Sequence, residues 1–129
     1  MKTIGDYALP NTINYIEFSP DLELQIIRYE LFISFNFRSF PLPKRVKKIC
    51  SSAFSLCENL NFIDIKPDSE LEVMQYCSFS YSGIKSFYIP PRITRIENEA
   101  FRYCYELNII ELDENVSMDG IGQYGINYN

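Results

Sequence analysis

Apolar residues recur along the chain in one short figure, at the first, fourth and sixth places of a six-residue stretch. It reads Ile13-x-x-Ile16-x-Phe18, Phe37-x-x-Phe40-x-Leu42, Leu60-x-x-Ile63-x-Ile65, Ile84-x-x-Phe87-x-Ile89 and Leu107-x-x-Ile110-x-Leu112. Successive starts differ by 24, 23, 24 and 23 residues. The last two apolar places alternate as a β-strand with one buried face requires, and the first lies where the chain turns into the strand. Midway between strands comes a second signature, a small or apolar residue followed by a large apolar one. It is met at Ala8-Leu9, Leu31-Phe32, Ala53-Phe54, Ser78-Phe79, Ala100-Phe101 and Gly125-Ile126. The stretches Ile49-x-x-x-Ala53-Phe54-x-x-Cys57 and Ile96-x-x-x-Ala100-Phe101-x-x-Cys104 predict one or two short helical turns by their i, i+4, i+5, i+8 spacing. Pro43 and Pro90-Pro91 follow strands, where a chain leaving a sheet tolerates a missing N–H.

The figure belongs to a true internal repeat. Residues 18–65 lie over residues 65–112 without gaps at a constant offset of 47, and 17 of the 48 pairs are identical, against roughly three expected from ordinary residue frequencies. Pro20/Pro67, Asp21/Asp68, Tyr29/Tyr76, Phe40/Phe87, Phe54/Phe101 and Cys57/Cys104 are among them. Each block divides again into two, giving units of about 1–18, 19–42, 43–65, 66–89 and 90–112 with a partial unit at 113–129, all within one array. A unit of this size cannot bury its own apolar face, so stacked units must share one core. The prediction is a solenoid with a parallel sheet of about five short strands on one face. On the opposite side, the Phe of each small-Phe pair should form a ladder, among short helical or 3-10 turns.

Composition narrows the range of functions. Apolar residues make up 47% of the chain, enough for a continuous core. The net charge of −5 argues against nucleic acid or an anionic membrane surface as partner. The basic run Lys44, Arg45, Lys47, Lys48 reads as a solvated loop face. No apolar stretch approaches the ~18 residues of a membrane span, and Met1 to Asp6 leads into no signal-peptide core. A soluble chain without an export signal of its own is expected from this. Both ends fall inside a unit, and neither reads as a polar cap. That suggests a piece of a longer array and some end-to-end self-association.

Catalytic chemistry is hard to find. There is no His, which removes the usual general base and His-ligated metal sites. Gly120-Ile121-Gly122 lacks the context of a phosphate loop. The four cysteines, at 50, 57, 77 and 104, have no C-x-x-C spacing. Cys57 and Cys104 hold one repeat position two units apart, roughly 10 Å by the strand spacing, beyond disulfide reach. They read as small core residues, with a disulfide or metal role as the alternative. Glu17, Asp64 and Glu111 occupy the outward place between core residues of alternate strands. At about 10 Å apart they are too wide for a retaining glycosidase pair. No enzyme activity, cofactor or metal is expected.

The runs from Leu42-Pro43 through Ala53-Phe54 and Cys57 to Leu60, and from Phe87-Tyr88-Ile89-Pro90 through Ala100-Phe101 and Cys104 to Leu107, resemble BspA-type leucine-rich repeats. Ser78-Phe79-x-x-Ser82-x-Ile84-x-Ser86 is similar to a second repeat type of that family. The likeness extends from about Ile4 to Ile126. It implies a right-handed leucine-rich repeat solenoid of the α/β repeat class, with its sheet on the concave face and no catalytic residues. It also implies a cell-surface or secreted protein used in adhesion or host interaction.

The candidate site is that concave face. Its outward places read Tyr15, Ser39, Phe62, Ser86, Ile109 in one row and Glu17, Pro41, Asp64, Tyr88, Glu111 in the next. Exposed aromatic and aliphatic side chains beside an acidic row suit a protein-binding surface for a basic or mixed segment. The ligand-binding set expected is Tyr15, Glu17, Phe62, Asp64, Tyr88, Ile109 and Glu111. An intracellular scaffold or regulator in the cytoplasm, using the same face, is the alternative and suits unpaired cysteines. Asn115-Val116-Ser117 is a glycosylation sequon, but Asn115 also stands where an Asn satisfies backbone groups inside a turn.

Overall fold

The structure is a computed structural model that describes residue 10 and residues 12–116. Four coils stack within this range, and each contributes one two-residue strand and one longer strand. The short strands β1 (Ile26–Ile27), β3 (Lys48–Ile49), β5 (Val73–Met74) and β7 (Arg95–Ile96) form a four-stranded sheet in the order β1-β3-β5-β7. The longer strands form two pairs, β2 (Ser39–Pro41) with β4 (Phe62–Asp64), and β6 (Ser86–Ile89) with β8 (Ile109–Leu112). Every pairing is parallel, so the chain returns to the same side of the molecule once per coil.

Both faces point apolar residues inward. Ile27, Ile49, Met74 and Ile96 are buried and in register on the short strands. On the long strands Phe40 pairs with Ile63 and Phe87 with Ile110, as the apolar figure requires. Between the faces runs the phenylalanine ladder. Phe32, Phe54, Phe79 and Phe101 stack with centroids 5.4, 5.1 and 5.7 Å apart, and the rings of Phe54 and Phe79 lie within 1° of parallel. Phe40 and Phe87 meet this ladder edge-on at 4.9 and 5.0 Å. Such offset and edge contacts add to plain burial.

Two expectations need correction. The stretches read as helical turns are not helices, and the described residues contain no helix. Ile49 and Ile96 lie in short strands, and the chain then turns twice at residues with left-handed backbone, Ser52 and Leu56 (φ 58° and 62°), Glu99 and Tyr103 (62° and 59°). The carbonyls that a helix would use accept instead from the neighbouring coil. Phe32 N–H donates to Ala53 O, Phe54 N–H to Ser78 O and Phe79 N–H to Ala100 O, at 2.9, 2.8 and 2.8 Å. This second ladder satisfies the turns, so a helix would gain nothing.

The expected five-strand sheet is also broken up. Residues 13–18 form no strand, although Phe18 packs edge-on against Phe40 at 5.6 Å. Leu42 N–H donates to Asp64 O on the β4 side, so by alternation Pro41 and Pro43 face residues 13–18. Neither has an N–H to offer. Across the seam between β4 and β6, Lys85 N–H donates to Asn61 O at 2.9 Å. At its other end the donor position is Pro90. Prolines therefore interrupt the row where the repeat alone predicts continuity.

At Asn115 the backbone N–H donates to Asp113 Oδ1 at 2.9 Å, and the residue is exposed. The Asp113 carboxylate holds this turn. Ser117, the pairs Ala8-Leu9 and Gly125-Ile126, and most of the last partial unit lie outside the described residues. Among the described residues no helix is long and apolar enough to cross a membrane.

Candidate binding face and edge groove

Strand register places the outward residues of the long-strand face. Ser39 stands beside Phe62 and Pro41 beside Asp64, while Ser86 stands beside Ile109 and Tyr88 beside Glu111. Alternation turns Phe62 and Ile109 away from the core, and they are 45% and 58% exposed. Tyr15, in the segment next to β2, is 68% exposed. Two pairs of the expected set are thus brought together on strands, Phe62 with Asp64 on β4, and Tyr88 with Glu111 across β6 and β8. Tyr15 and Glu17 join them from an irregular segment.

The charge on this face is less bare than the acidic row suggests. Lys66 Nζ lies 3.2 Å from Asp64. The Tyr15 hydroxyl donates to Glu17, which raises the phenol's pKa. Glu111 is exposed and faces solvent. Tyr88 is half-buried, and its hydroxyl donates to Asp113 Oδ2 at 2.7 Å. Burial first, and then that carboxylate, push the Tyr88 phenol up to about 12. Asp113 is in turn held below the ordinary carboxylate range by the Asn115 N–H and by Tyr88. Lys66 and Asp113 complete the face and were not foreseen. Both sit just past a strand end, where the alternating pattern that exposed the other residues has stopped.

A groove of about 510 Å³ opens at the edge where the chain enters the long strands. Two columns line it, Asn14, Arg38, Asn61 and Lys85 in one and Asn36, Asn59, Gly83 and Glu106 in the other, with Glu58 beside them. Asn61 N–H donates to Arg38 O at 2.8 Å and Lys85 N–H to Asn61 O at 2.9 Å, so the first column follows the coil stacking. Gly83 is required there, because a Cβ would lie 2.1 Å from the Glu58 carbonyl oxygen. The groove escaped the sequence reading because its residues are polar and varied. The 23- or 24-residue spacing puts them in line, but no shared residue type marks them out.

Cys57 and Cys104 belong to the core, while Cys50 and Cys77 are half-buried. Cys57 Sγ donates to Phe32 O at 3.1 Å and Cys104 Sγ to Phe79 O at 3.0 Å, again coil to coil. Burial pushes the Cys57 thiol up to about 12 and raises that of Cys104. Both are protonated and poor nucleophiles at neutral pH. All four cysteines are free thiols. The described residues hold no cluster of three or more His, Cys, Asp or Glu able to bind a metal.

Residues 1–108 match the BspA type leucine rich repeat region, in six copies. No curated protein matches the chain. Among solved structures, the fold is similar to a leucine-rich repeat protein from Bacteroides ovatus, with a TM-score of 0.71 and 24% identity over 85% of this chain and 28% of that one. It is similar to the pneumococcal vaccine antigen PcpA, with a TM-score of 0.65 and 18% identity over 72% of this chain and 25% of the other. A leucine rich cell surface protein from Faecalibacterium prausnitzii aligns with a TM-score of 0.54 and 20% identity, over 88% and 39% of the two chains. At these identities the likeness is one of fold, and this chain spans between a quarter and two fifths of those proteins.

Proposed function

This chain belongs to the BspA-type leucine-rich repeat family, and from that premise we propose that it is a non-catalytic protein-binding module of a cell-surface adhesion or host-interaction protein. The observation that carries the reading is the long-strand face, where Phe62, Ile109 and Tyr15 stand 45%, 58% and 68% exposed. Side chains of this kind anchor protein interfaces when a partner removes them from water. Glu17, Asp64, Tyr88 and Glu111 flank them and suit a partner segment of basic or mixed charge. Surface-protein neighbours of the same fold support the location.

The four free thiols favour a second reading, an intracellular scaffold that uses the same face, because reduced cysteines persist most readily in a reducing compartment. One experiment addresses the face in either case, and its outcome with host cells separates the two. Protein-coated beads are applied to cultured epithelial cells and adherence is counted. Adherence is expected, with a fall of about tenfold for Phe62→Ala/Ile109→Ala and for charge reversal at Glu17, Asp64 and Glu111. Adherence that survives both variants removes the long-strand face from consideration. No adherence by the parent protein removes the surface reading.

A further inference from the structure

We propose that the edge groove is a second binding site, one that takes an extended, hydroxyl-rich oligosaccharide without net charge. The lining carries the argument. Every side chain along it is polar, and its one remaining member is Gly83. A peptide binds through apolar or aromatic anchors set into pockets, and this groove offers none. A phosphorylated or sulfated ligand would need a surplus of cations. Here Arg38 and Lys85 are offset by Glu58 and Glu106.

The chemistry present suits hydroxyl groups. Each asparagine amide carries both donors and acceptors, as does a hydroxyl. Carboxylates accept from hydroxyls, while guanidinium and ammonium groups donate to them. Asn59 Nδ2 donates to Asn36 Oδ1 across one coil step, which orients both amides. The Asn36 amino group and the Asn59 carbonyl are then presented in fixed directions. Steric pressure sets the floor, since the coil at Gly83 approaches so closely that no Cβ fits against Glu58. Gly83 N–H is spent on Cys57 O at 3.1 Å, so the backbone there is satisfied before any ligand arrives.

Dimensions agree. The column Asn14, Arg38, Asn61, Lys85 crosses three coil steps, roughly 14 Å at the spacing of parallel strands. A volume of about 510 Å³ falls within the range of small-molecule sites. A chain of sugar rings laid along the stacking axis would meet a fresh amide or charged group at each coil. Ordered water in such a groove is displaced at little cost only by groups that repeat its hydrogen bonds, which hydroxyls do.

Titration calorimetry on the full chain tests this, using a panel of neutral tri- to hexasaccharides of glucose, galactose and N-acetylglucosamine, beside a panel of extended peptides. At least one oligosaccharide is expected to bind saturably. Asn36→Ala/Asn59→Ala should weaken it about tenfold, while Phe62→Ala/Ile109→Ala should leave it unchanged. Circular dichroism confirms that each variant is folded, and Lys85→Glu, at an exposed position, is read in the same way if the double variant is not. Absence of saturable binding across the saccharides overturns the proposal. So do equal losses in the groove and strand-face variants, or peptide binding that vanishes with the groove variant.

Discussion

At the corners of each coil, residues other than glycine hold φ values between 55° and 62°. Glu30, Ser52, Cys77 and Glu99 occupy the first corner, and Ser34, Leu56, Tyr81 and Tyr103 the second. Each such residue costs about 1–2 kcal/mol relative to a glycine in the same geometry. What holds them is bonding between coils, as at Ser34, whose N–H donates to Ser55 O at 2.9 Å. Ser34 is exposed, so its side chain can be changed without repacking. Ser34→Gly is expected to leave stability level or raise it by up to about 1 kcal/mol, and Ser34→Val to lower it by about 1–2 kcal/mol. Urea unfolding midpoints decide between the two signs. Tyr88 gives a second test. Its pKa is raised to about 12 in the folded chain, against about 10 unfolded, so its stabilising effect is present below pH 10 and lost as pH rises through 12. Tyr88→Phe should remove one late-titrating phenol from the absorbance titration and flatten the alkaline limb of the stability curve.

Among elements, the long strands were legible because Phe40, Ile63 and Phe87 alternate with exposed neighbours over several residues. The short strands were not. Two residues such as Ile26–Ile27 or Val73–Met74 cannot display an alternation. Their continuation into Ala53-Phe54 or Ala100-Phe101 has a spacing that a helical turn and a double corner share. Prolines at 41, 43 and 90 could be seen in the sequence, but not which neighbour each one deprives of a donor. The candidate site divides the same way: Phe62, Ile109 and Tyr15 followed from alternation, whereas Asp113, Lys66 and the groove lie where alternation ends. Gly83 is the sharpest test of coil-to-coil approach. Gly83→Ala places a methyl group against the Glu58 carbonyl and is expected to cost about 3 kcal/mol, the upper end for an over-packed site. Thermal unfolding measures it.

On the scale of the whole molecule, each coil touches only its neighbours, so stability is carried from step to step. Phe54 sits between Phe32 and Phe79 in the ladder and also meets Phe40. Phe54→Ala is expected to cost about 3–5 kcal/mol. Hydrogen exchange should then show lost protection at the amides of both adjoining coils, Phe32 and Phe79 included. Loss confined to its own coil would contradict stepwise coupling. The charged pairs between coils, Lys44 with Asp68 at 3.6 Å and Arg92 with Glu70 at 3.9 Å, are solvent-exposed on at least one side and add little beside the ladder.

The corner positions carry a further consequence. Because neighbouring turns impose the bend from outside, the amino acid standing there is released from any duty to produce it, and serine, leucine, tyrosine, cysteine and glutamate all serve. A lineage bearing this scaffold can therefore rewrite the exposed corner of Ser34, Leu56 and Tyr81 letter by letter without redrawing the backbone beneath. Variation can gather there at low structural risk so long as the incoming side chain is not branched at Cβ, as none of the eight present corner residues is.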